Sequence, residues 1–517
     1  MDSIVGLLGG FADVLTPVNL LYVFIGAVIG TAVGVLPGLG SAMAVALLLP
    51  ITFTLDPLAA LVMFAGIYFG GLFGDSIAGI LMNTPGNSTA IAGSFEGHLM
   101  ARRGRGAQAL ATSALGAFIG GMIATVLVVF FAPTLANLAT TFGPGEYFAL
   151  AIFAFLATSA VVSDSVVKGL AGLLIGLTLA MIGTDQVSGT QRFTFGNIAL
   201  FDGVSIVVIT VAMLAVGEVI YIASRLGRPD DRSFTPSTGR AFLSLAEYKK
   251  ALPAWLRGTA FGVPFGVIPA GGAEVPTFLA YGVEKRLDAR SDDPQFGKGA
   301  IRGVAAPEAA GNATAGTAMG ALLALGLPTS ATAAMLLAAF MQYGMQPGPL
   351  LFVRNADLVW ALLASLFIGM VVLLILNMPF APLWARLLRI EKAYLYAGIG
   401  MFACFGVYAA SAAMIDVVFM IILGLIGFAM RRFDVPLAPV LIAVILGPLA
   451  ESSLREAMNN SENNPMTLIS SPITITLYTL LIGVIVFSVY SKVRLRKDAE
   501  DPEIEAAVDS GKVRDLD

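Results

Sequence analysis

Two pairs of glycine–proline breaks interrupt long apolar runs, and they restrict the possible folds more than any other feature of the chain. In the first half, Gly34-Val35-Leu36-Pro37-Gly38-Leu39-Gly40-Ser41 is followed by Asn83-Thr84-Pro85-Gly86-Asn87-Ser88-Thr89. In the second, Gly266-Val267-Ile268-Pro269-Ala270-Gly271-Gly272 is followed by Gly326-Leu327-Pro328-Thr329-Ser330-Ala331-Thr332. Proline removes a backbone donor and glycine relaxes the dihedrals, so none of these stretches continues a straight helix. Inside hydrocarbon the freed N–H and C=O groups are tolerated only where protein or a water-filled cavity satisfies them. Interrupted segments at corresponding positions of two halves therefore point to a binding site at mid-membrane depth.

The apolar runs themselves approach the roughly 20 residues needed to span a bilayer, and they recur along the chain. Hydrophobic residues make up 57% and charged residues 12% of the sequence. A soluble domain carries about twice that charged fraction. The pattern predicts an all-α polytopic membrane protein of about ten to twelve spans, with re-entrant hairpins and discontinuous helices. One cysteine, Cys404, and one histidine, His98, exclude a disulfide framework and a Cys/His metal centre. Cys404 reads as a small buried hydrophobe, and His98 as a residue of an aqueous loop. No basic patch points to nucleic acid, and Met1-Asp2-Ser3-Ile4 lacks the basic start of a secretory signal.

The order of elements suggests a duplication. Residues 1–224 form a first half with breaks at 34–41 and 83–89, and 258–491 a second with breaks at 266–272 and 326–332. Each half runs break, short apolar piece, long apolar segment, hydroxyl-rich second break, and such units are usually inverted in transporters. Residues 225–257 read as a polar linker, cytoplasmic by its Arg and Lys content, and 492–517 as a cytoplasmic tail. Arg102, Arg103 and Arg105 mark a further aqueous loop.

Half-helix N-termini offer an anion unpaired N–H groups and the positive end of the helix dipole. Pro37, Gly38, Gly40, Ser41, Asn87, Ser88, Gly271, Gly272 and Ser330 are the candidate substrate ligands. The glycines among them also suit tight helix packing. Asn83, Thr84, Thr89, Thr329 and Thr332 are candidate oxygen ligands for Na+, with helix capping as the alternative role. Asp75, Glu274 and Glu308 are membrane-depth carboxylates able to carry a proton or bind a cation. For Glu308 the alternative is a charge at the start of a helix opened by Pro307.

The separated stretches Glu96-Gly97, Gly183 to Gly196, Glu284-Lys285-Arg286, Phe296-Gly297-Lys298-Gly299, Gly303-Val304-Ala305-Ala306-Pro307-Glu308-Ala309-Ala310 and Gly447-Pro448-Leu449-Ala450-Glu451 carry a resemblance. With the breaks, they make the chain similar to the large membrane subunit of the tripartite tricarboxylate transporter family of bacteria. Ala270 after Pro269 and Thr329 after Pro328 depart from the usual glycine. The resemblance implies a secondary carrier in the inner membrane, coupled to Na+ or H+ and using no other cofactor. It also implies two partners, a small membrane subunit and a periplasmic binding protein that delivers an organic carboxylate.

Three functions are weighed on the residues: a carrier, a passive anion channel, and an intramembrane aspartyl protease using Asp75 and Asp185. A protease needs two facing carboxylates that share a proton. A channel wants a continuous polar pore rather than two proline-broken repeats. The reading is a carrier and not an enzyme, working by displacement of the break-bearing region against a scaffold.

Overall fold

The computed structural model describes residues 2–36, 38–84, 87–162, 165–185, 188–225, 239, 242–268, 272–291 and 293–499. The first half contains α1 (Asp2–Val14), α2 (Pro17–Val35), α3 (Ser41–Leu48), α4 (Pro57–Met82), α5 (Ile91–Met100) and α6 (Gly106–Ala139). It continues through α7 (Pro144–Val162), α8 (Val166–Ala180), a two-residue hairpin of β1 (Gly183–Thr184) and β2 (Gln191–Arg192), α9 (Ile206–Thr210) and α10 (Gly217–Ala223). Next come α11 (Leu245–Val267), α12 (Glu274–Asp288), α13 (Ile301–Leu325), α14 (Ala331–Gln342), α15 (Pro349–Arg354) and α16 (Ala356–Asn377). The chain closes with α17 (Ala381–Trp384), α18 (Lys392–Ser411), α19 (Met414–Arg432), α20 (Leu437–Asn460) and α21 (Pro472–Ala499).

Among the described residues, eight helical stretches are long and apolar enough to cross a bilayer. Spans expected near 146–162, 166–183 and 472–491 have shorter apolar helical stretches, Pro144–Ala160, Val166–Ala180 and Pro472–Val486. The protein is a nearly all-helical, multi-span membrane protein, as its composition requires.

The two halves pack in the same way. Gly26, Gly30 and Gly34 of α2 lie against the backbone of Met63, Ile67 and Gly71 of α4. Gly258, Gly262 and Gly266 of α11 lie against Ala306, Ala310 and Thr314 of α13. A glycine every fourth residue brings the backbones together, because any Cβ there would strike a carbonyl group. In both ladders the residue numbers rise together, so each pair of helices is parallel. The chain between them must double back. In the first half α3 and residues 49–56 make the return, and in the second α12 and residues 289–300 do so. Both returns are the short arms of re-entrant hairpins, and the expected half-helix at Ser41 is α3.

The long helices α4 and α13 run in opposite directions past each other. Ser76 meets Glu308, while Gly97 of α5 fits between Ile80 and Val304. Each ends in a left-handed cap, Asn83 at φ 51 and Gly326 at φ 70. Helix α6 lies along α13, Gly120 against Ala309.

Several local expectations are corrected. The polar linker is helical from Leu245, where Ser244 and Glu247 form a reciprocal capping box. The basic cluster is not a loop: Ala101–Arg105 is a widened helical turn between α5 and α6, kinked at Gly104 with φ 75. His98 lies within α5, where Nδ1 donates to the Ile80 carbonyl at 3.0 Å. Cys404 is exposed on the outer face of α18, since its helix is covered on one side only. Pro307 and Glu308 sit inside α13, not at its start. The true start is held from a distance by Glu96. Its buried carboxylate accepts from the Gly297, Gly299 and Ala300 N–H groups at 2.6, 2.8 and 2.7 Å.

Candidate transport site

The N-termini of short helices from opposite halves meet in two pairs. Ser41 opens α3 and Thr332 lies in the first turn of α14; their buried hydroxyls are 2.9 Å apart. Ser88 precedes α5 and Glu274 opens α12; the Ser88 hydroxyl donates to Glu274 Oε1 at 2.6 Å. From these contacts the paired helices run side by side. Gln342 Nε2 at the far end of α14 reaches the Leu49 carbonyl beyond α3, and Phe95 of α5 packs on Tyr281 of α12. Unpaired helical N–H groups and two positive dipole ends thus gather at each meeting point.

Gly40 joins the pairs. It is the extended N-cap of α3, and a Cβ there would lie 3.3 Å from Asn87 Oδ1. Asn87 Nδ2 and the Thr89 hydroxyl donate to Asp75 Oδ2 at 3.1 and 3.2 Å. The Ser76 hydroxyl donates to Glu308 Oε1 at 2.7 Å and stands 3.5 Å from Asp75 Oδ1. Asp75 and Glu308 are 1% and 7% exposed, and their side-chain contacts among the described residues include no Lys or Arg. Two carboxylates are therefore held by four uncharged donor residues, Asn87, Thr89, Ser76 and Ser113, and the single Ser76 hydroxyl proton cannot serve both acids.

The remaining predicted residues fall as follows. Ser330 caps α14, accepting from the Ala333 N–H at 3.1 Å, and Tyr68 of α4 reaches Ser330 with Glu274 close by. Gly272 adopts φ 76, open to glycine at little cost, and lies against Glu274 Oε2. That oxygen is buried without a hydrogen-bond partner, as are Thr84 Oγ1 and Thr329 Oγ1. Asn83 is an exposed cap and contributes nothing to the Asp75 group. Gly38, at φ 89, faces outward toward the Tyr396 hydroxyl of α18. Pro37 and Gly271 lie outside the described residues.

Ser76 and Tyr68 escaped the sequence reading. Ser76 is flagged only by standing next to Asp75, and Tyr68 by nothing local, since its partners come from the other half. Asp185 is in a different group altogether. It pairs with Arg192 and Arg455 at 2.6 and 3.1 Å, and both arginines also hold Glu451. Asp75 and Asp185 share no contact, so the facing acid pair of an aspartyl protease is not formed by them.

The model of the Tripartite tricarboxylate transporter TctA family matches residues 20–442. A protein of Agrobacterium vitis, described as an uncharacterized 52.8 kDa protein in TAR-I ttuC' 3'region, is 39% identical over 499 residues. That alignment covers 96% of this chain and 98% of the relative. A second from the same organism, an uncharacterized protein in TAR-II ttuC' 3'region, is 36% identical over 237 residues, 46% of this chain and 97% of the relative. No solved structure matches. The chain belongs to the tripartite tricarboxylate transporter TctA family, and is thus a membrane component of a transporter that has further subunits.

Proposed function

We propose that this chain is the large transmembrane subunit that carries an organic carboxylate across the bacterial inner membrane by cation-coupled alternating access. Its proposed partners are a periplasmic binding protein, which delivers the substrate, and a small membrane subunit. The observation that carries the reading is the meeting of Ser41 with Thr332 and of Ser88 with Glu274. Four helix starts supply amide donors for an anion, without the desolvation cost of a buried Lys or Arg. The opposed run of α4 and α13, with the same glycine ladder in each half, supports an inverted repeat.

Coupling follows from charge. A carboxylate substrate would enter beside Glu274 and near the Asp75–Glu308 pair. Like charges at low dielectric repel strongly, so a proton or Na+ must enter with it. Asn83, Thr84, Thr89, Thr329 and Thr332 remain the proposed Na+ ligands, and Thr84 and Thr329 have the free buried oxygens for the task.

Reconstitution with the binding protein and small subunit in proteoliposomes tests the proposal. Saturable uptake is expected only when a cation gradient is imposed. Gradient-independent, non-saturating flux would identify a channel instead.

A further inference from the structure

We infer that this conformation is the inward-facing one, and that substrate leaves along an exposed face of α5 and α12 which the opposite state covers. The inference rests on the carrier and the inverted repeat proposed above, and deepens them.

The two pairs of short helices are unequally covered. α3 and α14 pack against α9, α18, α20 and the Val211–Val216 turns that follow α9. α5 and α12 pack on each other and on α4, α6, α11 and α13. Among the described residues they make no substantial contact with α7 to α10 or with α18 to α21. The breaks at their starts differ in the same sense. Leu327 and Thr329 are 4% and 1% exposed, whereas Asn83 and Ser88, at the corresponding break of the first half, are exposed. A repeat sealed alike at both ends would bury both breaks.

The open face meets water rather than lipid. The chain leaves helical geometry at Asn83, and the exposed Ser88 lies against the Glu274 carboxylate. Irregular backbone beside an acid is not sustained against hydrocarbon, but it can line a water-filled space. Charge sets the side. From the site, α5 runs toward Arg102, Arg103 and Arg105, and α12 toward Lys285 and Arg286, a basic level that marks the cytoplasm.

The free face is apolar and has a place to go. Phe95 and Phe278 are 39% and 42% exposed with ring centroids 6.3 Å apart, and Leu279 is exposed beside them. Ile268, at the break before α12, already packs against Phe153 and Ala157 of α7 and Leu481 of α21. Docking of α5 and α12 on α7 and α21 extends that contact. As they dock, α3 and α14 part from α9, α18 and α20, and the site opens to the other side.

The assembled transporter in right-side-out and inside-out membrane vesicles, without substrate, tests this. Phe278→Cys and Leu327→Cys, each in a Cys404→Ser background, are treated with a membrane-impermeant maleimide. Phe278→Cys is expected to react in inside-out vesicles, roughly tenfold or more faster than Leu327→Cys in either orientation, because a minor conformer is ~10% populated or less. Leu279→Cys repeats the measurement on the same face should Phe278→Cys not fold. Equal rates at the two positions, reaction of Phe278→Cys in right-side-out vesicles, or no reaction of it in either would overturn the inference. Labelling needs no transport. A chain that labels as expected yet carries no carboxylate would remove the carrier reading and leave the one-sided opening in place.

Discussion

Ser41 and Thr332 are separated by 291 positions in the chain, yet their hydroxyls are 2.9 Å apart at the starts of two short helices from different halves. Neither residue can be replaced without altering what the other half presents. In a double-mutant cycle, Ser41→Ala and Thr332→Ala should each lower transport by about tenfold, as expected for loss of ~1.4 kcal/mol from one site interaction. The double variant should be little worse than either single one. Initial uptake rates in proteoliposomes measure this, and fully additive losses would argue that the two hydroxyls act separately.

The coupling role proposed for the acid pair can be tested apart from binding. Glu308→Gln and Asp75→Asn preserve shape and remove charge, so substrate exchange should continue while gradient-driven accumulation falls to background. Counterflow and accumulation assays on the same vesicles distinguish the two activities. Accumulation at the original level in both variants would place the coupling site elsewhere.

Displacement of the break-bearing helices can be tested where α18 approaches the end of α3. A Cβ at Gly406 would lie 3.8 Å from the Pro50 Cβ, the usual separation in a disulfide. In a Cys404→Ser background, Pro50→Cys with Gly406→Cys should cross-link under oxidation and stop uptake, with recovery on reduction. Full transport by the cross-linked protein would rule out relative movement at this contact.

The glycine ladder should tolerate no enlargement. A Cβ at Gly30 would lie 2.6 Å from the Ile67 carbonyl oxygen, closer than real contacts allow. Gly30→Val is expected to cost more than the ~1–3 kcal/mol of ordinary overpacking, because backbone rather than a side chain must move. Loss of the monodisperse peak in size-exclusion chromatography, or a sharp fall in Tm, would register it. Gly9→Val, which meets nothing nearby, is the matched control.

Glu96 offers a test of stability at the start of α13. Replacing it with Ala leaves three amide donors without their acceptor, each hydrogen bond to a charged group being worth ~1.5–3 kcal/mol. Thermal unfolding should shift down by several degrees, with Glu96→Gln in between.

Much of this architecture was legible in the residues. Pro37, Pro85, Pro269 and Pro328 mark the four interruptions, and apolar length fixes the spanning helices. What the letters could not carry is which interruption meets which. Ser41 finds Thr332 rather than Ser88, and that relation is tertiary. The alternative role for Glu308, a charge at a helix start, fails for a related reason: the true start of α13 is capped by Glu96 from another helix, which leaves no local signature. The helix from Leu245 was a different kind of miss. Its capping box, Ser244 with Glu247, stands in the sequence but was outweighed by the surrounding charge.

On the proposed inverted repeat, the crossed pairing has a bearing on origins. A half-length ancestor would have owned one member of each contact and completed neither. Two such molecules, side by side and upside down to each other, would have supplied both at once. On that repeat, fusion into one polypeptide would have freed each side to diverge, so that a serine answers a threonine in one place and a glutamate in the other.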